Sequence, residues 1–145
     1  MTARPRSRGE WVRHVTQQPD CIFCPPSPDS ILSENALAYA IRDAFPVSRG
    51  HVLVIPRRHV EDYFALHTDE LLACSELLSI LRRDLMAEDA GIRGFNVGVN
   101  AGRAAGQTVR HCHIHLIPRR PGDVQDPRGG VRWVLPERAD YWSGR

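Results

Sequence analysis

The 145-residue sequence contains no lysine; all 19 of its basic residues are arginine. That absence removes Schiff-base chemistry and any phosphate loop ending in Gly-Lys-Ser or Gly-Lys-Thr. No apolar run approaches the roughly 20 residues a membrane span needs. None follows the arginines at 4, 6, 8 and 13 to make a secretory signal. The chain therefore reads as soluble and cytoplasmic, with no membrane partner. A strong charge of one sign is also missing. At +2 the net charge is too balanced for a general nucleic-acid binder, so no nucleic-acid partner is expected. Repeats, low-complexity tracts and long linkers are absent, and 42% apolar residues suit one domain with its own core. Cysteine is scarce, at four residues, which in a reducing compartment read as thiols rather than disulfides. Cys74 and Cys112 lie among apolar residues and read as core fillers. Cys21 and Cys24 have the Cys-x-x-Cys spacing that zinc uses.

The apolar periodicity of the rest predicts an α+β fold. Residues 25–30 read as a turn-rich loop. Alternating Leu37, Tyr39 and Ile41 predict a strand over 36–42, and a second strand over 50–55 is closed by Pro56. Helical spacing of leucines predicts a helix over 69–90, capped by Thr68 and ended by Gly91. Phe95, Val97 and Val99 alternate as in a half-buried strand, a glycine-bearing loop spans 101–107, and a last strand runs from Val109 to Ile117 and stops at Pro118. By this reading residues 1–20 form a flexible N-terminal segment and 21–120 the domain. Residues 121–145 form a tail whose Trp133 and Trp142 dock on the domain or on a partner subunit.

Chemistry concentrates in His111-Cys112-His113-Ile114-His115. In a strand the side chains alternate, so three imidazoles roughly 7 Å apart would share one face while Cys112, Ile114 and Leu116 pack on the other. A single histidine there would most simply be structural. Three in strict alternation suit proton transfer, nucleophilic attack or metal binding. A three-histidine zinc site is the sharpest rival, and two features oppose it. The two cysteines offer better ligands elsewhere, and Gly106-Gln107-Thr108 looks like a cradle for an anion.

These segments resemble the histidine triad (HIT) family, whose signature is His-φ-His-φ-His-φ-φ, with φ apolar. Asn100 and Gly106-Gln107-Thr108 match its Asn…Gly-Gln-Ser/Thr segment. Ile41-Arg42-Asp43 and the stretch from Gly50-His51 to Pro56 and His59 are similar to its nucleoside pocket and adjoining strand. The resemblance covers about Cys21 to Arg120. It implies a HIT-like antiparallel sheet with one long helix, dimerising edge to edge through the helix and the Phe95–Val99 strand.

The resemblance also implies roles. His113 would be the nucleophile at the α-phosphorus of a purine ribonucleotide, forming a nucleotidyl-histidine that water cleaves. Its other nitrogen needs an acceptor that fixes the tautomer, and a backbone carbonyl of the same strand is the obvious candidate. His115 would stabilise charge at the phosphate or help move a proton. Gln107, Thr108 and Asn100 would bind phosphate or ribose with the Gly106 turn, Asp43 the ribose hydroxyls and Ile41 the base, while His51 would orient the triad. Zinc-bearing branches of the family use a histidine after the Ile-Pro-x-x turn and the first histidine of the triad. Here these give a structural Zn2+ site of Cys21, Cys24, His59 and His111, against the alternative of a redox pair or unbound thiols. His111 would then be withdrawn from catalysis.

Three function classes follow. The leading one is a hydrolase of a dinucleoside polyphosphate or nucleotidyl phosphoramidate. A phosphorylase or transferase using phosphate or a sugar phosphate is the near alternative, although many transferase relatives replace the third histidine with glutamine. A nucleotide-binding regulator with incidental turnover is the more distant one.

Overall fold

The protein was analysed as a computed structural model that describes residues 18–144. Residues 1–17 of the expected N-terminal segment lie outside that range. Five strands form one antiparallel sheet: β1 (Ile31–Glu34), β2 (Ala38–Arg42), β3 (Val52–Pro56), β4 (Gly94–Gly98) and β5 (Ile114–Arg119). Their spatial order is β1-β2-β3-β5-β4. One long helix, α1 (Thr68–Glu88), joins β3 to β4, and a single-turn helix, α2 (Pro136–Ala139), lies in the tail. The expected α+β sheet with one long helix is what forms.

Every residue of β3 is buried, so this strand reads as a continuous apolar run instead of an alternation. Its two faces do different work. Val52 and Val54 join Ala38, Ala40, Ile114 and Leu116 beneath Cys74, Leu77 and Leu81 of α1. The opposite face carries Leu53 and Ile55, packed with Tyr39 and Phe23. Leu53 pairs with Ile41 on one side and His115 on the other, and His115 pairs with Gly98. A row running Ile41–Leu53–His115–Gly98 therefore crosses the face away from the helix.

The structure corrects several boundaries. The strand read at 36–42 begins at Ala38, and that read at 50–55 spans Val52–Pro56, with Pro56 inside it. Val99 falls beyond β4. The histidine strand starts at Ile114 and runs through Pro118 to Arg119, so His113 precedes it and His111 lies in a bend. Pro118 is tolerated because β5 pairs with β3 only over Ile114–Leu116. At Pro118 only the β4 side is occupied. Strand β1 was not anticipated at all.

Helix α1 is capped by His67, not Thr68. Glu70 reaches back to accept the His67 amide hydrogen at 2.8 Å, the acidic half of a capping box. Arg58 clamps the same buried Glu70 through both Nε (2.7 Å) and Nη2 (2.8 Å). Gly91 does not end the helix in left-handed conformation; the C-cap is Asp89. Asp89 accepts the Gly91 amide at 2.8 Å and binds Arg49 and Arg120. In the tail, Trp133 Nε1 donates to the Arg128 carbonyl at 2.8 Å, and the Arg128 guanidinium lies 4.6 Å from the Trp142 ring centre. The tail thus folds on itself and touches β4, leaving Val131, Val134, Leu135 and Tyr141 exposed.

Candidate functional site

The two cysteines and two histidines expected to bind metal converge. Cys21, Cys24, His59 and His111 bring one ligand atom each to within 4.8 Å of one another. The Cys24 Sγ lies 3.2 Å from His111 Nδ1 and 3.5 Å from His59 Nδ1, and Cys21 Sγ lies 3.5 Å from His111 Nδ1. A tetrahedral zinc with ordinary Zn–S and Zn–N bonds has S···N edges of about 3.5 Å, so the donor set fits such an ion. His111 has no exposed surface. Its Nε2 donates to the Pro56 carbonyl at 2.8 Å, which turns the Nδ1 lone pair toward the thiols. Burial pushes the His111 imidazole down to about 4, keeping it neutral as a ligand must be. Four residues of this kind could hold a metal. Cys74 and Cys112 are different: burial raises them to about 11 and about 12, and they stay inert thiols in the core.

His113 is buried, with Nδ1 at 2.8 Å from the His111 carbonyl. That bond is the tautomer-fixing contact expected from the sequence, although it comes from chain ahead of the strand. With its hydrogen on Nδ1, His113 carries its lone pair on Nε2. Phe23, which the sequence reading passed over, stands edge-on to His113 at 5.4 Å and to His111 at 5.9 Å between ring centres. It sits inside the Cys21–Cys24 knuckle, and the buried Tyr39 hydroxyl holds its carbonyl at 2.6 Å. The knuckle therefore presses an aromatic wall against the nucleophile candidate. The only sequence signal was an apolar residue between two ligand-spaced cysteines.

The third histidine belongs to a second cluster. His115 stands edge-on to His113 with ring centres 5.1 Å apart. His51 Nε2 lies 2.9 Å from His115 Nδ1 and 3.4 Å from Asp43 Oδ2, and Asp43 Oδ2 is 3.8 Å from His115 Nδ1. Asp43 directly follows β2, and its amide donates to the His51 carbonyl at 3.1 Å, which holds it beside the start of β3. The loop after it returns to β3 through Gly50, whose φ of +90° suits glycine and where a Cβ would meet Leu85 at 3.2 Å and Pro118 at 3.3 Å. Burial, ahead of all other influences, holds His51 and His115 below the ordinary histidine range.

The remaining expected residues lie in the 100–108 loop. Gly106 is left-handed, with φ +89°, and Asn100 and Thr108 are exposed. The Gln107 side chain is engaged with backbone. It accepts from the Gly102 amide at 2.8 Å and donates to the carbonyls of Glu61 (2.9 Å) and Val109 (3.1 Å). Its amide holds the loop in shape.

Residues 25–122 match the HIT domain model. An uncharacterized HIT-like protein of Methanocaldococcus jannaschii is 36% identical over 107 residues, which is 71% of this chain and 81% of that protein. Adenosine 5'-monophosphoramidase hnt1 of Schizosaccharomyces pombe is 38% identical over 103 residues, 68% of this chain and 74% of the relative. A crystal structure of a Zn-bound histidine triad family protein from Mycobacterium smegmatis superposes with a TM-score of 0.66 at 32% identity, covering 74% of this chain and 80% of that one.

Proposed function

The chain belongs to the HIT family, and from that premise we propose that it hydrolyses a purine ribonucleotide at the α-phosphate through a nucleotidyl-histidine. The observation that carries the reading is the His113 Nδ1 contact with the His111 carbonyl at 2.8 Å, which leaves Nε2 as the nucleophile. Attack by Nε2 forms a nitrogen–phosphorus bond as the bond to the leaving group breaks; the leaving group takes that bond's electron pair and a proton from solvent. Water then adds to the phosphorus and gives one proton back to solvent, and the nitrogen–phosphorus bond breaks with its electron pair returning to Nε2, which releases the nucleotide and restores neutral His113. His115 donates a hydrogen bond beside the phosphate. Ile41 lines the base pocket and Asp43 accepts from the ribose hydroxyls. Asn100, Gly106, Gln107 and Thr108 form the phosphate rim, with Gln107 acting through the loop it braces. His51 supports His115. A nucleotidyl phosphoramidate is the favoured substrate, because a relative at 38% identity bears the name of an adenosine 5'-monophosphoramidase. Dinucleoside polyphosphates share the same intermediate.

Zn2+ is the proposed occupant of Cys21, Cys24, His59 and His111. With four protein ligands it would supply structural rigidity and no open position for a reacting group. Its contribution falls on this chain's own groups: it would fix the His111 backbone, whose carbonyl sets the His113 tautomer, and seat Phe23.

We also propose a homodimer. Strand β4 is an edge of the sheet. Beside it a groove of about 360 Å³ opens between α1 and β4, lined in part by Ser79, Phe95 and the exposed Val97. A second copy would cover both.

The test of the enzymatic reading is turnover of adenosine 5'-phosphoramidate by wild type and His113→Ala. Loss of the nucleophile is expected to remove turnover, by four orders of magnitude or more (roughly, from the cost of deleting a nucleophile), while a non-hydrolysable nucleotide still binds. Unchanged turnover in His113→Ala would overturn the assignment.

A further inference from the structure

Cys21 and Cys24 stand at the two ends of a turn, with the Cys24 amide donating to the Cys21 carbonyl at 3.0 Å. A turn of this kind holds its end Cα atoms within about 7 Å of each other, close to the span that a disulfide bridges. The two sulfurs also belong to the group of four donor atoms that lie within 4.8 Å of one another. The same pair is thus arranged both to share one ion and to join in one disulfide. Cys21 is partly exposed and Cys24 is buried, so a small oxidant meets Cys21 first, with Cys24 behind it. The other two cysteines, Cys74 and Cys112, are each only 1% exposed and lie out of an oxidant's reach.

Joining the sulfurs removes both thiolate donors at once. The two imidazoles that remain do not make a closed tetrahedral site. Two connections carry that loss to His113. His111 keeps its bond to the Pro56 carbonyl but loses the sulfur partners of Nδ1, and its own carbonyl is the group that holds His113 Nδ1. Phe23 donates its amide hydrogen to Cys21 Sγ at 3.4 Å, and its ring stands edge-on to His113. A change at the sulfurs therefore reaches the His113 ring through the chain at His111 and through the wall at Phe23.

We infer that the Cys21–Cys24 turn is a redox latch on the nucleophile: a peroxide converts the two zinc ligands into a disulfide, the ion leaves, and His113 loses its fixed orientation. The inference rests on the proposed zinc site and on the reading of His113 as the nucleophile. The Cys21 thiolate attacks one peroxide oxygen, forming a sulfur–oxygen bond as the oxygen–oxygen bond breaks. The departing oxygen keeps that bond's electron pair and takes a proton from solvent, leaving as water. The Cys24 thiolate then attacks the Cys21 sulfur, forming the disulfide as the sulfur–oxygen bond breaks. Hydroxide leaves with that electron pair and takes a second proton. The sulfurs together give up two electrons, and the peroxide accepts them and ends as two waters. A thiol reductant returns both electrons, and the ligand set is restored.

The test follows metal, sulfur and turnover on the full, zinc-loaded chain treated with excess hydrogen peroxide beside a chromophoric chelator. One equivalent of zinc is expected to be released, in step with the loss of two hydrogens from the peptide that carries both Cys21 and Cys24. Cys74→Ala is expected to release zinc at the wild-type rate. Turnover of adenosine 5'-phosphoramidate is expected to fall about 100-fold, as misplacement of a reacting group does, and to return with dithiothreitol and Zn2+. Long-range proton–nitrogen NMR reads the His113 imidazole without substrate, and the Nδ1–H form is expected to give way to a tautomer mixture on oxidation. Zinc retained over reduced Cys21 and Cys24 overturns the inference. So does release traced to sulfinic or sulfonic acid instead of a disulfide, or an oxidised, zinc-free protein whose His113 signals and turnover are unchanged. A chain that carries no zinc before oxidant is added fails at the metal reading and takes the latch with it. A loaded, reduced chain that does not turn over fails at the nucleophile reading, while zinc release, disulfide and tautomer still decide the latch.

Discussion

His111 uses three of its atoms for three different neighbours. Nδ1 faces the thiols, Nε2 donates to Pro56, and the carbonyl accepts from His113. The proposed metal site and the proposed nucleophile therefore meet in one residue, and disturbing the first should reach the second. Protein purified without chelator is expected to carry one zinc per chain by elemental analysis, and Cys24→Ser to lose it. With free zinc 100-fold above its dissociation constant, that loss removes about 3 kcal/mol of stability. A metal-free wild type with unaltered melting would contradict this. The buried histidines also set a pH dependence. Since burial lowers His51 and His115 from 6.5, the unfolded chain takes up protons that the folded chain resists. The stability they carry is present above pH 6.5 and is lost as pH falls below it. Urea midpoints at pH 7.5, 6 and 5 should decline in that order, and a flat series would contradict the assignment of these rings as buried and neutral.

The N-terminus of α1 shows how an element locates the site. Glu70 is 4% exposed and bonds both Arg58 and the His67 amide, so the helix start is pinned to the residue beside His59. Removing the carboxylate with Glu70→Ala leaves Arg58 and the cap without their acceptor. Because Arg58 keeps some contact with solvent, the expected loss is about 2–3 kcal/mol in chemical denaturation, and a loss under 0.5 kcal/mol would sink the clamp. The helix was legible from its leucine spacing, but Thr68 drew its start one residue late, because a histidine such as His67 does not announce a cap. Four of the five strands, β2 to β5, were legible from apolar spacing, and β1 was not. Their ends were not, because Pro56 and Pro118 sit where a neighbouring strand has already stopped pairing. The convergence of Cys21, Cys24, His59 and His111 was legible only through resemblance and spacing together. Phe23 and the Pro56 carbonyl were not legible. The second is a backbone group, which no residue type announces, and the first looks like any core phenylalanine.

At the scale of the whole molecule, the sheet separates two duties: α1 fills one face, and the site occupies the other along the row Ile41–Leu53–His115–Gly98. Strand β4 ends that row, so an edge-to-edge partner would lie next to the reacting groups. Light scattering after size exclusion is expected to give a dimer for wild type and a shift toward monomer for Val97→Lys, a charge placed on the free edge. A monomeric wild type at micromolar concentration would contradict the dimer. In the proposed reading, the candidate metal site and the sheet both serve to set the His113 ring in one orientation, with Nε2 facing the substrate. The most direct measurement is mass spectrometry of wild-type protein quenched during turnover of adenosine 5'-phosphoramidate, followed by peptide mapping. A nucleotidyl adduct on His113, absent from His113→Ala, is the expected result; an adduct on another residue, or sustained turnover with no adduct trapped at any quench time, would contradict it.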